Sequence, residues 1–183
     1  PRRPGEAAPS ASGRPANAAA SRTGQPRSAT TTQPVQQSPQ AARRPRPVDQ
    51  MVGKPAPDFR LTTLDGKTVS SQDLSGTITV LNFFAPNCGH CKKQMPRVEA
   101  LRRTYEARGV RFLNVGQKMG QNPLTREVLV AKLAEFGVKG QAALDDDKTV
   151  GRKFRVTGYP TAFILDRDGK VESVTIGNRT DLE

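Results

Sequence analysis

Several residue types are rare or absent in this sequence, and their scarcity limits the kinds of chemical site that the chain can form. The chain of 183 residues has two cysteines, one histidine and no tryptophan. Two thiols and one imidazole fall short of the four ligands of a typical structural zinc site, so no metal is expected. No run of about 18 apolar residues occurs, which excludes a membrane-spanning helix within these residues. We expect no secretory signal sequence within these residues either.

Residues 1–50 differ in composition from the rest of the chain. They contain nine prolines, eight arginines, two acidic residues and no aromatic residue. Such a segment cannot bury enough apolar surface to offset its ordering entropy, so we predict a disordered, Pro/Ala/Arg-rich basic linker. Residues 51–183 are predicted to form one domain. Because the chain starts at Pro1 rather than Met, we expect a fragment or processed product whose upstream export signal or anchor has been removed.

The linker carries half of the net charge of +12. This charge suits contact with an anionic surface such as a membrane, while a solvated spacer is the simpler interpretation. Arginines without interleaved aromatic residues give no base-stacking platform, so no specific nucleic-acid partner is expected.

Both cysteines and the histidine lie in one stretch between a predicted strand and a predicted helix. Residues 78–84 are β-branched and aromatic, which predicts a buried strand. Apolar residues three or four apart then predict an amphipathic helix over residues 91–108. Cys88 therefore lies where a strand ends and a helix begins.

This position favours a reactive thiolate. A helix N-terminus presents unpaired N–H groups and a partial positive charge, which can lower a cysteine pKa from about 8.5 to between about 3.5 and 7.5. Lys92, Lys93 and a protonated His90 would add positive charge. Cys91, three positions on, is close enough to form a disulfide, so Cys88 can attack a disulfide and Cys91 can resolve the mixed disulfide. A plain stabilising disulfide remains an alternative, although so short a loop constrains the unfolded chain little.

Residues 82–96, with the sequence NFFAPNCGHCKKQMP, resemble the active-site stretch of the thioredoxin-like superfamily. Within it, the chain is similar to the TlpA/ResA-type extracytoplasmic thiol–disulfide oxidoreductases, a redoxin or AhpC/TSA-like domain. Residues 53–59 are like the opening segment of that family, and residues 158–170 are like its second signature. The resemblance covers about residues 52–178.

The resemblance implies an α/β fold: a three-layer α/β/α sandwich with a central mixed sheet and an N-terminal β-hairpin extension. Residues 59–64 and 67–70 fit the hairpin, with Asp65-Gly66 as its turn. A helix is predicted from Asn122-Pro123 to residue 136, burying Val128, and residues 161–165 and 171–176 are predicted to pair as strands. The closing helix of the family is expected to be missing, because little sequence follows residue 176.

The resemblance also assigns roles at the site. Cys88 and Cys91 would form the redox-active disulfide without a further cofactor, and Pro160 would be a cis-proline beside them. Tyr159, Gly158 and Asn87 would contact the substrate. Gly-His between the cysteines resembles protein disulfide isomerase, whose potential is about −180 mV, rather than thioredoxin at about −270 mV. We therefore interpret His90 as a residue that tunes the thiolate.

Three residues depart from the family pattern. Asn82 replaces the buried acid of thioredoxins, Gln94 replaces a glutamate of ResA-like proteins, and Asn87 replaces the usual tryptophan. Neither Asn82 nor Gln94 can act as a general base, so the proton of Cys91 would leave by water, the backbone or the substrate.

The leading prediction is a protein-disulfide oxidoreductase in the periplasm or cell envelope, anchored to the membrane through a segment outside this sequence. Its partners would be thiol- or disulfide-bearing proteins and an upstream redox partner. Two alternatives remain open: a peroxiredoxin-like peroxidase and a copper- or soft-metal-binding thioredoxin-like module.

Overall fold

A computed structural model of the protein describes residues 45–177, in which seven strands and three helices are present. The strands are β1 (Arg60–Thr62), β2 (Thr68–Ser70), β3 (Thr79–Phe84), β4 (Arg111–Gly116), β5 (Ala142–Leu144), β6 (Thr161–Leu165) and β7 (Val171–Ile176). The helices are α1 (Gly89–Tyr105), α2 (Arg126–Glu135) and α3 (Thr149–Lys153), and three short 3₁₀ turns cover Asp49–Met51, Gln72–Leu74 and Glu106–Arg108.

Five strands form a mixed sheet in the order β5-β4-β3-β6-β7. β3, β4 and β5 are parallel, since helices α1 and α2 connect them. β6 and β7 complete the sheet in antiparallel orientation. β1 and β2 form a separate antiparallel hairpin. The predicted α/β fold with a central mixed sheet and an N-terminal hairpin is confirmed.

Side chains on the two faces of the sheet belong to different cores, because successive residues of a strand point to opposite sides. One face packs against the hairpin, α3 and the first 3₁₀ turn. Four phenylalanine rings meet there, with centroids of contacting pairs 5.0–5.9 Å apart: Phe59, Phe83, Phe154 and Phe163. The other face packs against α1 and α2 through Phe84, Met95, Leu129 and Leu133. The sheet is thus the middle of three layers.

Helix α2 begins later than the sequence predicts. The prediction of Asn122 as its N-cap is wrong: Thr125 is the N-cap, and its hydroxyl accepts the N–H of Val128 at 3.3 Å. The backbone N–H of Leu124, the residue before this N-cap, donates to a carboxylate oxygen of Asp146 at 2.6 Å. This hydrogen bond keeps the residues before Thr125 out of the helix. The predicted burial of Val128 is also wrong, since 43% of this residue is exposed.

The packed part of the chain begins before residue 51. Val48 is fully buried in the core, and Arg46 forms an ion pair with Asp49 at 2.8 Å. The rest of the predicted linker lies outside the described residues, as does the segment after residue 177 to which the prediction about the closing helix applies. Among the helices of residues 45–177, none has the length and apolarity needed to cross a membrane.

Candidate active site

Cys88 is the N-cap of helix α1, and three residues separate it from the end of strand β3. Its backbone is extended, with φ −94° and ψ 116°, and its N–H donates to the carbonyl oxygen of Ala85 at 3.1 Å. Its Sγ accepts the N–H of Cys91 at 3.4 Å, the contact that a serine or aspartate oxygen makes at an ordinary N-cap. The sulfur therefore lies where unpaired N–H groups and the helix dipole favour negative charge.

The two thiols occupy unequal environments. Both are free in the structure, but Cys88 is 9% exposed whereas Cys91 is 0% exposed. Burial, and secondly the hydrogen bond with Cys88, raises the pKa of the Cys91 thiol well above its usual range. A disulfide approaching from solvent can therefore meet Cys88 first, while Cys91 stays protonated beneath it.

The segment before strand β6 lies against Cys88. The Cys88 thiol donates to the carbonyl oxygen of Tyr159, with Sγ and oxygen 3.6 Å apart. The Tyr159–Pro160 peptide bond is cis, as the resemblance implies. Burial, and then the charge of Asp145, raises the pKa of Tyr159 to about 12, so the ring stays neutral beside the cysteines. The carbonyl of Gly158 accepts the hydroxyl of Thr161 at 2.8 Å.

The other predicted site residues lie on the rim. Asn87 and His90 are exposed at the start of α1. Lys92 is also exposed, and its Nζ lies 3.1 Å from a carboxylate oxygen of Glu135 in α2. The charge of Lys92 is therefore shared with a carboxylate rather than directed at the sulfur alone. Lys93 is exposed as well.

Among the described residues, buried amide side chains from α1 and from strands β3 and β4 form the polar layer next to the cysteines. The Asn82 amide donates to Asn114 Oδ1 at 3.0 Å and contacts the sulfur of Met95 at 3.2 Å. Gln94 is fully buried one helical turn after Cys91, and neither of its amide atoms has a partner in the described part of the chain. Because an amide cannot accept a proton at neutral pH, this layer supplies no general base.

Sequence reasoning missed the structural role of Asp145. The acidic run 145–147 predicts a solvated turn that caps a helix, and Asp147 does accept the N–H of Thr149 at 2.9 Å. Asp145, however, is only 4% exposed. It accepts the N–H groups of Val150 at 3.2 Å and Gly151 at 2.9 Å. It also accepts the side-chain amide of Gln117. No local pattern distinguishes it from its two acidic neighbours.

The arrangement can perform thiol chemistry. It brings together Cys88, Cys91, Tyr159 and Pro160 from two segments about seventy residues apart in the sequence. The sulfur of Cys88, in a residue that is 9% exposed at a helix N-terminus, can attack a disulfide, and the fully buried sulfur of Cys91 one turn away can complete the exchange.

Comparisons with known proteins agree with this geometry. The model of the AhpC/TSA family matches residues 52–174. Thiol-disulfide oxidoreductase ResA of Geobacillus thermodenitrificans (strain NG80-2) is 34% identical over 130 residues, which are 70% of this chain and 71% of that protein. Thioredoxin-like protein YneN of Bacillus subtilis (strain 168) is 32% identical over 135 residues, 72% of this chain and 75% of that protein.

Solved structures share the fold. A thiol:disulfide interchange protein of the thioredoxin family from Chlorobium tepidum TLS matches with a TM-score of 0.58 and 27% identity, over 74% of this chain and 88% of that one. The DsbF structure from MTB, in mixed oxidized and reduced forms, matches with a TM-score of 0.59 and 26% identity, over 74% of this chain and 90% of that one. The chain therefore belongs to the AhpC/TSA family and is a thioredoxin-like thiol–disulfide oxidoreductase similar to ResA.

Proposed function

We propose that the chain exchanges disulfides with protein thiols through a Cys88–Cys91 couple. The observation that carries this proposal is the inequality of the two sulfurs: Cys88 is the more exposed and accepts a helix N–H, while Cys91 is fully buried with a raised pKa. Cys88 is the nucleophile and Cys91 the resolving thiol. Pro160 closes the site beside Cys88, and Asn87, Gly158 and Tyr159 form the surface that a substrate meets.

The proposed reaction has two balanced steps. The Cys88 thiolate attacks one sulfur of a substrate disulfide, so that a mixed disulfide forms and the other substrate sulfur leaves as a thiolate. Cys91 then loses its proton and attacks Cys88 Sγ, which breaks the mixed disulfide and releases the second substrate thiolate. Two electrons pass from the protein dithiol to the substrate, and the reverse sequence oxidises a substrate dithiol.

The test is the redox equilibrium of the two cysteines in defined glutathione or dithiothreitol buffers. A potential above about −200 mV would assign an oxidase or isomerase direction, and one below about −250 mV a reductant. Cys91→Ser should accumulate a mixed disulfide with a model substrate protein, whereas Cys88→Ser should not. If the wild-type protein shows no reversible two-electron couple, the proposed chemistry is wrong.

A second candidate, a peroxidase, is suggested by the AhpC/TSA family match. Residues 85–87 lack the threonine that such enzymes place shortly before the reactive cysteine. Consumption of hydrogen peroxide by the reduced protein, compared with Cys88→Ser, separates the two candidates. Metal retained by a reduced, gel-filtered sample would instead support a soft-metal module. In residues 45–177, no three His, Cys, Asp or Glu side chains gather as metal ligands would.

We further propose that residues 1–50 link the redox domain to an envelope membrane, which would place the couple outside the cytoplasm. The basic, proline-rich composition of this segment supports a spacer. Labelling of Cys88 in intact cells of the source organism by a membrane-impermeant thiol reagent would support this location. Labelling only after lysis would contradict it.

A further inference from the structure

Lys148 has a backbone conformation that its residue type disfavours. It is the N-cap of α3, and its φ of 59° and ψ of 23° lie in the left-handed region. A lysine in this region brings its Cβ close to the following carbonyl oxygen, a conflict that a glycine avoids. Among the described residues other than glycine, only Arg155 shares a positive φ. Strained residues of this kind cluster at functional sites, so the contacts of the Lys148 side chain are informative.

The Lys148 side chain does not stabilise its own turn. The backbone N–H of Lys148 donates to the carbonyl of Asp145 at 3.1 Å, but the side chain makes no capping hydrogen bond. The N–H of Thr149, the first residue of α3, donates instead to Asp147 at 2.9 Å. Within the described part of the chain, Lys148 also forms no ion pair. Nothing in the turn itself therefore requires a lysine.

The side chain instead reaches the aromatic ring of Tyr159. The Nζ atom of Lys148 lies over this ring, 5.8 Å from its centre, which is within the range of a cation–π contact. Both residues are half-buried. Partial burial strengthens such a contact, because less water screens the ammonium group.

Tyr159 connects this contact to the reacting sulfur. The carbonyl oxygen of Tyr159 lies 3.6 Å from Cys88 Sγ. Tyr159 also packs against the apolar cluster that contains both Cys88 and Cys91. Two contacts therefore lead from the Lys148 ammonium to Cys88 through a single residue. A displacement of the Tyr159 ring would change the surface beside Cys88.

The local charge does not support a role for Lys148 in attracting anions. Asp145, Asp146 and Asp147 directly precede it in the sequence. One ammonium group after three carboxylates gives no excess of positive charge at this position. The contact with the Tyr159 ring is therefore the interaction from which a role can be argued.

We propose that Lys148 is a positioning residue, which holds the Tyr159 ring against the cysteines and thereby speeds the attack of Cys88 on peptide disulfides. This proposal rests on the proposed function, in which Tyr159 forms part of the surface that a substrate meets. A small disulfide reaches the Cys88 sulfur without using that surface. Loss of the ammonium group should therefore slow the reaction with a peptide disulfide and spare the reaction with a small one.

The experiment uses the full chain in its reduced form and two disulfides. One is a short peptide in which threonine and serine alternate around a central cysteine that carries a 2-thiopyridyl group, and the other is 2,2′-dithiodipyridine. The Cys88 thiolate attacks the peptide sulfur, the mixed disulfide forms, and pyridine-2-thione leaves and is measured by its absorbance. We expect Lys148→Met to slow the initial rate with the peptide about fivefold, which corresponds to about 1 kcal/mol. The rate with 2,2′-dithiodipyridine should stay within about twofold of wild type.

Two variants separate the contact with the ring from a general loss of charge. Lys148→Arg keeps a cation that can stack on the ring, so its rate with the peptide should stay within about twofold of wild type. Arg155→Met is the matched control, because Arg155 is the other cation with a left-handed backbone and contacts no aromatic ring of the described residues. An equal loss in Arg155→Met, or a loss in Lys148→Arg as large as that in Lys148→Met, would refute the proposal.

A third variant separates positioning from stability. Lys148→Gly should unfold at a higher urea concentration than Lys148→Met, because glycine adopts this backbone without strain. Lys148→Gly also lacks the ammonium group, so it should react with the peptide as slowly as Lys148→Met. Recovery of the rate together with stability would mean that the effect of Lys148 is only structural.

Action through the ring is tested by combining variants. In a Tyr159→Leu chain, which has no ring at this position, Lys148→Met should cause no further loss of rate with the peptide. Two losses that multiply would show that Lys148 acts independently of Tyr159 and would contradict the proposal.

The order of the ring can be observed directly. The chain has two tyrosines and no tryptophan, so in Tyr105→Phe the tyrosine band of the near-ultraviolet circular dichroism reports only on Tyr159. In this background the band should weaken with Lys148→Met and persist with Lys148→Arg. An unchanged band in both would mean that Lys148 does not hold the ring.

The proposed function and this role of Lys148 fail in different ways. If the Cys88–Cys91 couple is reversible but Lys148→Met reacts with the peptide as fast as wild type, the positioning role is wrong and the proposed function stands. Absence of a reversible couple in the wild-type protein defeats the function itself.

Discussion

The strongest stability prediction concerns Glu99, a buried carboxylate on α1. Its side chain is 4% exposed, and both of its oxygens receive the Arg102 guanidinium, at 2.8 and 3.0 Å. Arg102 is itself only 16% exposed and also pairs with Glu106, whose side chain is 53% exposed. One arginine therefore contacts a buried carboxylate of α1 and an exposed carboxylate at the start of the 3₁₀ turn that follows it, which provides an internal comparison.

We expect Glu99→Gln to lower the free energy of unfolding by about 2–3 kcal/mol at pH 7. Removing one partner of a buried ion pair costs about 3–5 kcal/mol, and the remaining contact of Arg102 with Glu106 reduces that cost. Glu106→Gln should cost less than about 1 kcal/mol, because an exposed pair is screened by water. The measurement is urea unfolding followed by far-ultraviolet circular dichroism, which suits a chain without tryptophan.

The same pair gives a pH dependence with a definite sign. Arg102 holds the pKa of Glu99 below its usual range in the folded protein, with smaller contributions from backbone N–H groups of Lys139 and Gly140. The stabilisation is therefore fully present above the unfolded pKa of about 4.3 and is lost as pH falls through the folded value. The difference between wild type and Glu99→Gln should shrink from pH 6 to pH 3. A wild-type to Glu99→Gln difference that is as large at pH 3 as at pH 6, or that equals the Glu106→Gln difference at pH 7, would refute this reasoning.

Two further predictions concern the redox couple and the packing behind it. His90→Pro should lower the reduction potential measured in glutathione buffers, because it removes an imidazole from beside the cysteines. Proline is tolerated at this position, since His90 lies in the exposed first turn of α1. An unchanged or higher potential would exclude a tuning role for His90. Gly151→Ala should destabilise the protein by about 1–2 kcal/mol in urea, since an added Cβ would lie 2.0 Å from the buried amide of Gln117 and displace it from Asp145. Gly89→Ala is its control, because nothing lies within 4 Å of the added Cβ there, and an equal loss in both variants would contradict the clash.

The central strand and the helix of the site could be predicted because their signals are local. The apolar run before Cys88 forms β3 over Thr79–Phe84, and the periodic residues after it form α1 with Pro96 inside the helix. The hairpin turn also follows from its sequence, since Gly66 has a φ of 84°, which glycine adopts without strain. Each of these features depends on residues within a few positions of one another.

The features that could not be predicted depend on contacts between distant parts of the chain. The start of α2 is set by the hydrogen bond from Leu124 to Asp146, 22 positions away in the sequence. Asp145 becomes buried only because α3 and Gln117 close around it. Glutamate side chains on a helix are ordinarily exposed to solvent. Glu99 on α1 is instead buried, because Arg102 and the backbone near Gly140 surround it.

The different environments of the two thiols depend both on local sequence signals and on contacts between distant parts of the chain. Cys88 receives its helix N–H from a purely local arrangement at the junction of strand and helix that the sequence predicts, although α1 begins at Gly89 rather than at the predicted residue 91. Cys91 is one helical turn further on, where α1 has begun to pack on the sheet and on α2, so the same spacing carries its sulfur into the core with Met95. The two residues between the cysteines thus keep the sulfurs adjacent, with Cys88 at the helix N-terminus and Cys91 in the apolar core. Because burial raises the pKa of the Cys91 thiol, resolution of the proposed mixed disulfide at Cys88 must wait until Cys91 loses its proton.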